Sequence, residues 1–126
     1  MRAQVYAIAF VLLMSPVVTR AHGSMPAAAH GGQVQEAAEH WVELVVRGDL
    51  VTVYVNEQDN KPRSAREWTG KATVLVGGKT EAVALTPAEG NSATAKLAAP
   101  ATGRVTAVLR LTIDGKPAQA RFAITP

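Results

Sequence analysis

From Leu50 onward, apolar and polar residues alternate in short runs, and each run ends in a cluster of Gly, Pro, Asn or Asp. Period-two alternation broken by turn residues describes half-buried strands joined by tight links. In the clearest run, Val51, Val53 and Val55 share one face and Thr52, Tyr54 and Asn56 the other. Residues 71–76 repeat the pattern through Ala72, Val74 and Val76, and Gly77-Gly78 then links to residues 79–85 as a hairpin turn does. A weaker strand is expected at residues 92–97. In residues 104–113, Val105, Ala107, Leu109, Leu111 and Ile113 lie opposite Arg104, Thr106, Val108, Arg110 and Thr112. Asp114-Gly115 turns the chain into residues 118–124, where Ala120, Phe122 and Ile124 align. Upstream, the β-rich residues 41–46 predict a strand from Trp41, closed by Arg47-Gly48-Asp49. Residues 33–40 fit either a turn or a short helix. About seven short strands with no crossover helix predict an all-β fold, an immunoglobulin-like antiparallel sandwich.

The N-terminus has the composition of an export signal. Arg2 precedes an apolar run from Val5 to Met14, Ser15-Pro16 breaks it, and Thr19-Arg20-Ala21 offers small residues for cleavage. The run is shorter than the roughly 20 apolar residues a spanning helix needs. The expectation is a signal peptide at 1–21, a flexible His-containing arm at 22–40 and a sandwich domain at 41–126, in a periplasmic protein with no membrane insertion after cleavage. Losing Arg2 and Arg20 leaves a net charge of about +1, with basic and acidic residues interspersed, which excludes a nucleic-acid footprint. The chain has no cysteine, so disulfides, zinc fingers and thiolate chemistry are excluded as well.

All three histidines, His22, His30 and His40, fall in that arm. Cleavage after Ala21 would make His22 the first residue, and its α-amine and imidazole could close a chelate on Cu(II), which favours tetragonal nitrogen ligands. Cleavage after Ala29 would give His30 the same capability. Met25 offers a thioether for Cu(I), and Glu36, Glu39 and His40 add oxygen and nitrogen donors. On a helical turn Glu36 and His40 would share a face. The predicted metal ligands are therefore His22, Met25, His30, Glu36, Glu39 and His40, for a copper or zinc ion. No spacing matches a compact motif such as HExxH.

Enzymatic chemistry is not expected. Gly77-Gly78-Lys79-Thr80 resembles the end of a phosphate-binding loop, but Thr73 stands where that loop requires Gly. No Gly-x-Ser-x-Gly elbow occurs. Asp59 and Asp114 read as turn formers, and Trp41 and Trp68 as core or rim residues. The competing expectation is a non-enzymatic interaction module with an inert leader.

His30-Gly31-Gly32, Glu43-Leu44-Val45, Val53-Tyr54-Val55, Asp59-Asn60-Lys61-Pro62, Gly77-Gly78-Lys79 and Gln119-Ala120-Arg121-Phe122 together resemble a small periplasmic domain. It is similar to the extra N-terminal domain of periplasmic adaptor subunits in heavy-metal efflux pumps of the resistance–nodulation–division class. The likeness spans most of residues 30–124. It implies a β-sandwich in a Gram-negative periplasm that handles copper, zinc or related cations, with a heavy-metal efflux complex as partner. The coiled-coil hairpin and barrel of such adaptors have no counterpart in these residues, so the expectation is a free accessory protein. His22 alone is similar to the first residue of small periplasmic copper-resistance sandwiches.

Overall fold

A computed structural model describes residues 25–125 and turns each alternating run into a strand. The expected signal peptide and His22 lie outside those residues. The strands are β1 (Gln33–Ala37), β2 (His40–Arg47), β3 (Leu50–Asn56), β4 (Trp68–Val76), β5 (Lys79–Ala84), β6 (Thr86–Pro87), β7 (Ser92–Lys96), β8 (Val105–Ile113) and β9 (Lys116–Ile124). One sheet has the order β1-β2-β3-β7-β6 and the other β5-β4-β8-β9. Every neighbouring pair is antiparallel. No helix of the described residues is long and apolar enough to cross a membrane.

The core lies between the sheets, where alternation puts the branched aliphatic residues. Val42, Leu44, Val51, Val53 and Val55 of the first sheet meet Ala72, Val74, Val105, Leu109, Leu111 and Phe122 of the second. Trp68 closes the core beside the 3-10 turn Ala65–Glu67, its indole N–H donating to the Arg63 carbonyl at 3.2 Å. Gly70 is required by close packing: a Cβ there would lie 2.4 Å from Leu111 Cδ2. Along one seam β1 and β9 meet, and the Ala123 N–H donates to Gln33 Oε1 at 3.1 Å. This bond ties the first strand of one sheet to the last strand of the other.

Two expectations change. The sheet begins at Gln33 rather than Trp41, because residues 33–37 pair with β2 from Gln33↔Leu44 to Ala37↔His40. A two-residue link, Ala38-Glu39, replaces the possible helix, with φ of 44° and 64°. Two consecutive positive φ angles are the mark of a type I′ hairpin turn, which normally holds Asn-Gly. Side chains with a Cβ are strained there, by about 1–2 kcal/mol per residue in the left-handed helical region. The pair Ala38→Asn with Glu39→Gly should therefore raise the thermal midpoint. A gain of about 1 kcal/mol corresponds to about 4–8 °C in a domain of this size, readable by circular dichroism. An unchanged or lower midpoint would count against the turn assignment.

Candidate functional site: a histidine clasped to the outer face of the sheet

On β2, Val42, Leu44 and Val46 point into the core, so Trp41, Glu43 and Val45 must point away from the second sheet. A face turned to water would leave them exposed. Each is nevertheless only 6 % exposed. The cover is the chain segment before β1. Pro26, Ala27, Ala29 and His30 lie over Val34, Trp41, Glu43 and Tyr54. Gly32 passes so close to β2 that a Cβ would sit 2.2 Å from the Leu44 carbonyl oxygen and 2.8 Å from Val45 Cγ2. Residues 25–32, expected as a flexible arm, are thus laid against the sheet by a glycine that admits close backbone approach.

Glu43 organises this contact. Its Oε2 accepts from the His30 backbone N–H at 2.9 Å and from the Gly32 N–H at 3.0 Å, and its Oε1 lies 2.8 Å from His30 Nδ1. A carboxylate inside an apolar setting needs such donors, and three of them complete its acceptor sites almost fully. Arg47 Nη2 donates to the His30 carbonyl at 2.9 Å. The imidazole lies flat on Tyr54, with ring centroids 3.6 Å apart and planes within 2°. Tyr54 is the cross-strand partner of Glu43, so one register position on two strands grips both the edge and the face of the histidine.

This geometry sets the ring's chemistry. An ionised carboxylate only accepts hydrogen bonds, so the 2.8 Å contact requires the proton on Nδ1. Nε2 has no hydrogen-bond partner among the described residues, and the His30 side chain keeps 42 % of its surface in solvent. A chelate through the His30 α-amine requires cleavage after Ala29; in the uncleaved chain that nitrogen is a peptide amide, and both it and Nδ1 face Glu43. The adjoining cleft holds about 40 Å³. That is room for about two or three waters or an ion, and far less than an organic ligand needs.

Of the other anticipated ligands, His22 lies outside the described residues and the rest are dispersed. Met25 is on the surface at 46 % exposure. Glu36 pairs across from Trp41, on the outer face, while His40 has the inward parity of Val42. The hairpin therefore separates two side chains that a helical turn would have brought together. Glu39 occupies the strained link and is exposed. His40 Nδ1 is 2.8 Å from the Ala38 carbonyl oxygen, and its Nε2 is 3.3 Å from Glu57 Oε2. Glu57 also accepts from Arg63 Nη1 at 2.8 Å, and Arg63 pairs with Glu67 and Asp114 as well. Its hydrogen bonds to Glu57, then to Asp114, hold the Arg63 guanidinium further above the ordinary arginine range. The acids at this end are thereby committed to an arginine. Among the described residues, no three His, Asp or Glu side chains are grouped so as to hold a metal ion. They supply one well-prepared nitrogen rather than a complete cage.

The sequence reading passed over Glu43, Arg47 and Tyr54. Glu43 carried a usable signal: it is the one acid in the run from Trp41 to Val46, at a position whose strand neighbours on the same face are Trp41 and Val45. No protein-family model matches the chain, and comparison with curated proteins and with solved structures finds no match.

Proposed function

We propose that this chain is a non-enzymatic periplasmic protein that binds copper or zinc as cargo, in support of heavy-metal efflux or resistance, on an immunoglobulin-like scaffold. The scaffold reading is supported by strand order. With β2, β3, β7 and β6 taken as A, B, E and D, and β5, β4, β8 and β9 as C′, C, F and G, the two sheets follow the immunoglobulin arrangement, with β1 added at the edge. The observation that carries the metal reading is the Glu43–His30 pair. A carboxylate behind one ring nitrogen, with the other nitrogen free, is the usual environment of a metal-ligating histidine. Further ligands would come from the arm, with His22 and Met25, upstream of His30, as the candidates.

The test is mass spectrometry of the exported protein, to fix its first residue, followed by titration with Cu(II), Cu(I) and Zn(II). One equivalent should bind, and His30→Ala should weaken it by at least about tenfold, since removing a ligand costs no less than removing its supporting residue. Affinity indifferent to His30 would sink the reading.

A second reading is a protein-interaction module of the cell envelope. It is favoured by an open groove of about 660 Å³ flanked by Val74, Val76, Leu97 and Pro100, and by the dispersal of the anticipated ligands. Replacing His22, His30 and His40 together by Ala would abolish the first function and leave the second intact.

A further inference from the structure

We infer that Glu43 is a positioning residue that locks His30 in the Nδ1–H tautomer and so makes Nε2 the atom presented to a divalent cation. The inference rests on the metal reading above and deepens it. An isolated neutral imidazole populates both tautomers, and only a fixed partner at one nitrogen selects between them. Here the partner is an acceptor with few alternatives, since Glu43 is 6 % exposed and is already oriented by the N–H groups of His30 and Gly32. Tyr54 removes the remaining freedom. A ring stacked at 3.6 Å and 2° cannot rotate about its Cβ–Cγ bond without losing the stack. The bond to the carboxylate also enriches the ring's electron density, which makes Nε2 a better donor to a cation. Ligation at Nε2 leaves the whole clasp in place, whereas ligation at Nδ1 would have to break its shortest bond.

Long-range proton–nitrogen NMR of the full exported protein tests the tautomer without any metal. Neutral His30 should show a protonated Nδ1 and an unprotonated Nε2, and added Zn(II) should shift Nε2. In Glu43→Gln the amide can donate as well as accept, so the signals should move towards a tautomer mixture. Zn(II) affinity should fall by about 10–100-fold, while the Gly32 amide signal reports whether the arm stays docked. An Nε2–H tautomer in the wild-type protein overturns the inference whatever the metal does. Equal Zn(II) affinity in wild type and Glu43→Gln, with the tautomer lock lost, overturns the positioning role. A locked tautomer with no Zn(II) effect on any histidine overturns the metal reading and leaves the tautomer assignment standing.

Discussion

Glu43→Ala should release the arm from the sheet while leaving the sandwich folded. The substitution removes the acceptor for two backbone N–H groups and an imidazole. Hydrogen bonds to a charged partner contribute about 1.5–3 kcal/mol each, but the sum is not available here. Residues 25–32 lead into β1 rather than threading the core, so the freed donors can turn to water and are not left buried and unpaired. The loss is therefore limited to the free energy of docking, about 1.5–3 kcal/mol if it equals one such bond net. Hydrogen exchange should show it directly, with the amides of His30 and Gly32 changing from protected to exposed. Trp41 would gain water contact, and its fluorescence should shift to the red. Retained protection at both amides would mean that the Tyr54 stack and the apolar contacts of Ala27 and Ala29 hold the arm without the carboxylate.

The same two faces of β2 explain which parts of the fold were legible in the sequence. Val51, Val53 and Val55, and the odd-numbered residues from Val105 to Ile113, are buried as alternation predicts, because on these strands the apolar face meets the core and the opposite face is less buried. Gly77-Gly78 and Asp114-Gly115 form hairpin turns with positive φ, as their composition requires. The first hairpin escaped because Ala38-Glu39 has no turn signature, and Gln33-Val34-Gln35-Glu36 has better helix than strand propensity. Its strand character is imposed by pairing with β2, which local sequence does not report. The site escaped for a related reason. Both faces of β2 are buried, so its six buried residues in a row read as one apolar strand and the acid within it as an exception. Nearness in sequence grouped Glu36 with His40, which the β1–β2 hairpin places on opposite faces of the sheet.

Leu44→Ala, one residue from Glu43, should have a different consequence. Leu44 is fully buried at 0 % exposure and belongs to the core between the sheets. Its removal leaves a cavity walled by β-strands whose backbone ladders on both sides restrict collapse, so the cost should lie within the usual range of about 2–5 kcal/mol. The described residues contain no disulfide to offset this, and a domain of this size has a total stability of about 5–15 kcal/mol. The thermal midpoint should fall by roughly 8–40 °C at about 4–8 °C per kcal/mol. Circular dichroism, tryptophan fluorescence and the amides of both sheets should all report one transition. Leu75→Ala is the matched control, since that side chain is 41 % exposed and its loss should change stability by less than about 0.5 kcal/mol. If Leu44→Ala loosened only the arm, or if Glu43→Ala lowered the global midpoint as far as Leu44→Ala does, the assignment of neighbouring residues to separate faces would be wrong. The outcome expected from the geometry is a strand whose inner face sets the stability of the domain and whose outer face sets the position of one histidine.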